Sequence, residues 1–154
     1  MDKNSSKITI IVDTREQAPL AFPTFPSVRG TLRTGDYSVV GFERVVAIER
    51  KSLQDLVQTV IRERERFEYE LLRLSHYRVR AVVIEASWDQ IANPRGGRYE
   101  FSEAKPLSVF QSINAFFVRY GVPFIPAGSR LMAARCIEAW ARFAVEEAER
   151  PKGW

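Results

Sequence analysis

Residues 35–55 read GDYSVVGFERVVAIERKSLQD. Gly35-Asp36-Tyr37 opens the stretch, Gly41 marks a turn, and the apolar run Val45-Val46-Ala47-Ile48 leads into Glu49-Arg50-Lys51. A β-strand alternates faces with period two, so Glu49 and Lys51 share one face and Arg50 takes the other. A rise of about 3.3 Å per residue sets Glu49 and Lys51 roughly 6.6 Å apart along that face. Tyr37–Val40 and Glu43–Arg50 read as an antiparallel pair joined at Gly41-Phe42, which returns Glu49 to the neighbourhood of Asp36. Two carboxylates and an ammonium at the exit of a buried strand point to metal-assisted hydrolysis. Mg²⁺ and Mn²⁺ take hard oxygen ligands, commonly one or two carboxylates plus substrate phosphate. Asp36 and Glu49 would supply those ligands, and Lys51 would orient or deprotonate the attacking water. On Glu49-Arg50-Lys51 alone, a solvated strand rim is the stronger reading.

The flanking sequence extends the pattern. Ile8–Val12 is a continuous apolar, β-branched run, read as a buried strand that delivers Asp13 and Glu16 just beyond its end. Ends of sheet strands are where α/β folds carry binding groups. Read alone, Asp13 is equally a turn-forming residue. Taken together, Gly-Asp, a spacer, Glu-Arg-Lys and then Asp55 four residues on resemble the signature of the XPF/Hef structure-specific nuclease family. That family lies within the PD-(D/E)xK restriction-endonuclease-like group. Val12-Asp13-Thr14-Arg15-Glu16 resembles its first-strand motif. Arg66-Phe67, Glu70 and Val82-Val83-Ile84-Glu85 continue the resemblance, in order, over nearly the whole chain.

The resemblance implies an α/β, restriction-endonuclease-like domain with a mixed central β-sheet flanked by α-helices. It would span residues 1–154, with 1–7 and 150–154 as flexible tails. It implies a metal-dependent endonuclease acting on DNA phosphodiesters, at branched or otherwise structured DNA in repair or recombination. Asp36 and Glu49 are then ligands of Mg²⁺ or Mn²⁺, with the Arg50 carbonyl as a candidate third. Asp13, also a candidate ligand, completes the acidic cluster with Glu16. Lys51 is the base or water-positioning group, while Arg15 and Arg50 hold phosphate or brace carboxylates. Relatives pair through their nuclease domains, so a homodimer is expected. Neither a tandem helix-hairpin-helix module nor a phosphate-loop motif occurs in these residues, so the expectation is a free-standing nuclease working with a helicase or DNA-binding partner. The rivals are a non-catalytic DNA-binding or scaffolding subunit and a Holliday-junction or restriction-like nuclease of the same fold. Intact motifs argue against the first.

The remainder of the chain fits this frame. At 154 residues it suits one domain burying about 68–70% of its unfolded surface. Its 45% hydrophobic and 27% charged content excludes disorder, and a net charge of +4 permits nucleic-acid binding. The single cysteine, Cys136, excludes an intrachain disulfide and a cysteine-metal cluster and reads as small core filling. No secretory or membrane-spanning segment is legible, so a cytoplasmic location is expected, nucleoid-associated in a prokaryote or phage. Ser52 opens a helix to about His76 whose apolar stripe includes Leu56, Val60, Phe67 and Leu71. Asp55 is either catalytic or the partner of Ser52 in a capping box. Arg64 and Arg66 face outward, where they could meet phosphate. Trp88–Lys105 reads as a loop, in which Arg95, Arg98 and Tyr99 would touch phosphates or stack on a base. Pro106 starts an aromatic helix carrying Phe110, Phe116 and Phe117. The last helix, after Ser129, sets Met132, Cys136, Trp140 and Phe143 on one side. These two helices carry the surface expected at the dimer interface.

Overall fold

The structure, a computed structural model, describes residues 8–152. Residues 1–7 and 153–154, which belong to the two expected tails, lie outside them.

Alternation along one strand sorts the molecule into layers. In β4 (Val46–Lys51), Ala47 enters one core, with Leu56, Phe67 and Ile113, while Val46 and Ile48 enter another, with Ile10, Ala133 and Ile137. β5 (Val79–Ile84) runs parallel to β4 and repeats the division, Val82 and Ile84 to the first side, Ala81 and Val83 to the second. β1 (Ile10–Asp13), β2 (Ser27–Gly30), β3 (Tyr37–Val39) and β6 (Phe124–Pro126) complete a six-stranded sheet in the order β2-β1-β3-β4-β5-β6. β3 is antiparallel to both β1 and β4, and the other pairs are parallel, so the sheet is mixed. One face is covered by α1 (Leu53–Arg62), α2 (Arg64–Leu74), α3 (Trp88–Ala92) and α4 (Pro106–Tyr120). The other is covered by α5 (Arg130–Glu149). This is the expected α/β architecture. No helix among the described residues is long and apolar enough to cross a membrane.

Four details depart from the sequence reading. The single helix of residues 52–76 is broken at Glu63, whose φ of −123° and ψ of 28° are not helical. Arg62–Arg66 are all charged, so no apolar contact holds that turn straight, and the break sets α2 on its own axis. The β3–β4 connection is longer than a two-residue turn, with Val45 and Val46 N–H groups both donating to the Phe42 carbonyl at 2.9 Å. Part of the expected 88–105 loop is α3, whose start is fixed by a reciprocal Ser87–Gln90 capping box. On α5 the buried face is made of small residues, Ala133, Ala134, Ala141 and Ala144 with Ile137, whereas Met132 and Phe143 are exposed. Alanines let a helix lie close to a sheet, and the bulky stripe is left on the flank.

Glu138 is the polar exception on that buried face. Its Oε2 accepts the Thr24 N–H at 2.8 Å and the Phe25 N–H at 2.6 Å, which ties the proline-rich 17–26 segment to α5. Glu138→Ala leaves two backbone donors without an acceptor and should cost about 2–3 kcal/mol in urea unfolding. Glu138→Gln, which keeps an acceptor oxygen, should lose less. Equal midpoints for all three proteins would show that the tether contributes nothing.

Candidate active site

The β3–β4 pairing sets Tyr37 opposite Ile48, and the same register carried one step on sets Asp36 opposite Glu49. Gly35 makes this approach feasible. Its φ is +80°, and a Cβ there would lie 2.9 Å from the Ile48 carbonyl oxygen. Asp36 is held by its main chain on both sides: its N–H donates to Ile48 O and its carbonyl accepts from Asp13 N–H, each at 2.8 Å. Its Oδ2 accepts the Arg50 N–H at 2.8 Å. In an extended strand the N–H and C=O of one residue face the same side, so the Arg50 carbonyl also opens toward Asp36.

Glu49 and Lys51 share the α1/α2 face of β4, as the alternation requires. Lys51 Nζ lies 3.7 Å from Glu49 Oε1 and 5.2 Å from the centre of the Phe67 ring, whose face binds a cation. The Lys51 side chain is only 15% exposed, so it is held rather than free in solvent.

Arg50 takes the opposite face and meets no open phosphate site. Its Nε and Nη2 donate to the two Glu16 carboxylate oxygens at 2.9 and 2.8 Å, and its Nη1 donates to Glu85 Oε1 at 2.9 Å. Arg130 on α5 joins the same Glu85 oxygen at 2.8 Å and reaches the Ala18 and Pro19 carbonyls. Bidentate, buried pairing of this kind fixes geometry. Of the two expected roles for Arg50, the structure has it bracing carboxylates.

Two acidic groups on the β1 side are committed to structure. Asp13 Oδ1 accepts the Leu32 N–H at 2.8 Å, and Oδ2 accepts the Arg15 N–H and Nε at 3.1 and 2.8 Å. Burial works to raise the Asp13 carboxyl, but Arg15 and these N–H donors outweigh it and hold it below the ordinary range. Asp13, expected as a ligand, thus has both oxygens engaged in hydrogen bonds that brace the 13–32 segment. Arg15, expected at DNA, spends its guanidinium on Asp13 and on the Leu32 carbonyl at 2.8 Å. Burial likewise opposes ionisation of Glu16, and Arg50 with the Ala18 N–H lowers it overall.

The remaining acids repel one another. Burial, then Glu16 and Glu70, pushes Asp36 up to about 6 against the opposing Arg50 N–H. Burial, then Asp36 and Glu70, raises Glu49 well above the ordinary carboxylate value. Glu70, on α2, lies beside Glu49 and shares a small cleft with Lys51 and Phe67. Sequence reasoning assigns Glu70 no role, although a signal is present. It falls on the same helical stripe as buried Phe67, Leu71 and Leu74, where an acid is out of place. Among the described residues no three acidic, histidine or cysteine side chains converge as a ready-made metal cage. Two hard carboxylates, both raised first by burial and then by neighbouring acids, nevertheless fit a Mg²⁺-type ion, which needs no more from the protein and offsets the crowded negative charge.

The other expected contacts are scattered. Asp55 is exposed, and its N–H donates to Ser52 Oγ at 3.1 Å, so the Ser52 half of the capping box forms. Arg64 donates to Ser112 Oγ at 2.9 Å and lies 4.7 Å from the centre of the Phe116 ring, which makes it a clamp between α2 and α4. Arg66 is exposed, 3.6 Å from Glu63. Arg95 and Arg98 are exposed. Tyr99, expected to stack on a base, is buried, with its hydroxyl donating to the Ile91 carbonyl at 2.6 Å. Its ring stacks instead beneath Phe101, which is 42% exposed.

Residues 12–139 match the family model described as the ERCC4 domain. Among solved structures, the chain is similar to XPF from Aeropyrum pernix, with a TM-score of 0.70 and 19% identity over 91% of this chain and 66% of that one. It is also similar to XPF from Aeropyrum pernix in complex with DNA, with a TM-score of 0.68 and 20% identity over 95% and 70% of the two chains. The chain thus spans about two thirds of those proteins, and the likeness is one of fold. No curated protein matches the sequence.

Mutual repulsion has a pH signature. A carboxyl whose folded pKa is raised costs nothing below its ordinary value of 3.8, and its cost grows until pH passes about 6. Asp36→Asn keeps an acceptor for the Arg50 N–H and removes the charge. The variant and the wild type should be equally stable near pH 4, and the variant more stable at pH 7 by on the order of 2 kcal/mol. Parallel stability curves from pH 4 to 8 would show that Asp36 carries no such burden.

Proposed function

The chain belongs to the ERCC4 domain family of XPF-type nuclease domains, and on that premise we propose that it is a metal-dependent DNA endonuclease acting at branched or otherwise structured DNA. The observation that carries this reading is the convergence of Asp36, Glu49 and Lys51 at the exit of β4, with both carboxyls destabilised by burial and proximity. Asp36 and Glu49, with the Arg50 carbonyl as third donor, would hold Mg²⁺ or Mn²⁺, which supplies Lewis acidity at the phosphate and a more acidic bound water.

The chain's own residues divide the remaining work. Lys51 orients the attacking water and meets the charge that builds on the phosphate oxygens as the water oxygen bonds to phosphorus and the P–O ester bond breaks. Glu49 and the Phe67 ring fix the direction of its ammonium. Arg50, Glu16 and Glu85 keep β4 in register with the β1 exit and β5, so the two ligands stay opposed. Glu70 stands beside Glu49 and adds to the negative charge that a cation would offset. Arg95 and Arg98, and Arg66 from its exposed pair with Glu63, would meet DNA phosphates, which fix register and orientation. DNA is chosen as substrate because the complex of the Aeropyrum pernix protein is with DNA.

Cutting of a panel of flap, fork, four-way and linear DNAs should require Mg²⁺ or Mn²⁺ and stop in excess chelator. Lys51→Ala should lower the single-turnover rate at least a hundredfold while DNA affinity is kept. Full cutting in chelator would refute the metal, and binding without cutting under every condition would leave a scaffolding subunit as the answer.

A second copy of the chain is the proposed protein partner. On α4, Phe116 is buried in the core, but Leu107, Phe117 and Val118 are 64%, 50% and 83% exposed. Exposed apolar residues grouped on one helix favour pairing. Light scattering should give twice the chain mass at micromolar concentration, and Phe117→Asp with Val118→Asp should halve it. A wild-type monomer throughout would defeat the dimer.

A further inference from the structure

A groove of about 970 Å³ runs between α1 and residues 95–104, apart from the acidic cluster. One wall is a single face of α1, where Gln54, Gln58 and Arg62 recur at helical spacing. Arg95, Arg98 and Phe101 stand on the other. The groove begins at Gln54, three residues beyond Lys51, and follows α1 for roughly 12 Å. A second cavity of about 330 Å³ shares Arg95, Arg98 and Phe101 and extends to Leu53, two residues from Lys51. Both cavities therefore start within three residues of the end of β4 along the chain.

We propose that this groove binds a single strand of DNA leading away from the cleavage site. The proposal deepens the nuclease reading and rests on it for the identity of the polymer. Three features select a single strand. Arg62, Arg95 and Arg98 are all exposed, and none forms an ion pair or side-chain hydrogen bond among the described residues, so three cations are available for phosphates. Phe101 offers an exposed ring backed by Tyr99, at 5.4 Å and 18° between ring planes, which is a rigid platform for an unpaired base. The groove is walled on both sides, by α1 and by residues 95–104, which suits a strand lying between the walls.

Glu100 and Glu103 also line the groove and would oppose phosphate. Two carboxylates against three guanidiniums leave the lining positive. An unpaired strand also brings base amino groups, such as cytosine N4, that a carboxylate accepts. The groove thus offers cations for the backbone, a ring for stacking and acceptors for base edges. In a paired duplex the base faces are stacked on one another and cannot reach the Phe101 ring.

The test uses the full chain in chelator, so that binding is read without cutting. Fluorescence anisotropy would follow a short labelled oligothymidylate and a labelled duplex of the same length over a salt series. Replacing Arg62, Arg95 and Arg98 together by Ala should weaken single-strand binding and flatten the plot of log affinity against log salt by about 2, since each lost phosphate contact removes about 0.7. The corresponding triple Lys variant should retain the slope. Phe101→Ala should weaken single-strand binding about tenfold with the slope unchanged and duplex binding unaffected. Thermal midpoints near wild type are expected for these exposed positions and would confirm that the variants fold.

Wild-type single-strand affinity in the triple Ala and Phe101→Ala proteins would overturn the groove, as would a wild type that binds no single strand. Equal loss of single-strand and duplex affinity would also overturn it, because it would mark a general basic surface. A protein that cuts DNA in Mg²⁺ but shows no effect in the groove variants refutes the groove alone. One that never cuts but shows the expected pattern refutes the nuclease reading alone.

Discussion

One guanidinium holds the site's framework. Arg50 leaves β4 on the face away from Glu49 and bridges Glu16, beyond the end of β1, to Glu85, beyond the end of β5. Arg130 ties the same Glu85 to α5. Three strand exits and α5 are thereby fixed relative to one another at the point where β4 ends. The Arg50 N–H, on the same residue, fixes the Asp36 carboxylate. Net stability is not the main product of such a network, since a buried ion pair often does no better than apolar residues of equal volume. Loss of one partner, by contrast, strands a buried charge at a cost of about 3–5 kcal/mol. What the network supplies is register, and register decides whether two carboxylates oppose each other or slide past.

The other face of β4 carries the opposite electrostatics. There the carboxyls of Asp36 and Glu49, with Glu70 beside them, are close and mostly shielded from water, and only Lys51 is at hand to compensate Glu49. One strand therefore has a satisfied face and an unsatisfied face separated by the thickness of its backbone. Sites that bind cations commonly store such a conflict and draw on the surrounding fold to withstand it. Gly35 shows the same compromise in the main chain, since only a residue without a side chain can pass the Ile48 peptide there.

What could be read from the sequence follows this division. Period-two alternation is a property of any extended chain, so Glu49, Arg50 and Lys51 could be assigned to faces without a structure, as could the pairing of Asp36 with Glu49. The continuous apolar stretch of β5 is the mark of a parallel strand buried on both faces, and Pro123 and Pro126, which cannot donate to a ladder, suit the edge that β6 occupies. Interactions between distant segments were not legible. The occupation of Asp13 by Leu32 and Arg15, the clamp of Arg64 on Ser112 and the burial of Tyr99 beneath Phe101 all depend on loops whose paths no local pattern encodes. The break at Glu63 was hidden because it uses neither Gly nor Pro. It also concealed Glu70, whose approach to Glu49 depends on the new axis of α2. On α5 the sheet-facing alanines were not legible as a core stripe, because close packing on a sheet selects small residues.

Binding of the ion itself tests the proposed site most directly. Isothermal titration of Mg²⁺ or Mn²⁺ into wild-type protein and Glu49→Gln, in buffers of differing ionisation heat, reports affinity and proton release together. Wild type should bind at a single site and release protons near pH 6, because carboxyls with raised pKa values must ionise to take up the cation. Glu49→Gln should lose most of the affinity and the proton release while staying folded. Equal binding by the two proteins, or cutting by a wild type that binds no ion, would contradict the assignment of Asp36 and Glu49 as the metal ligands.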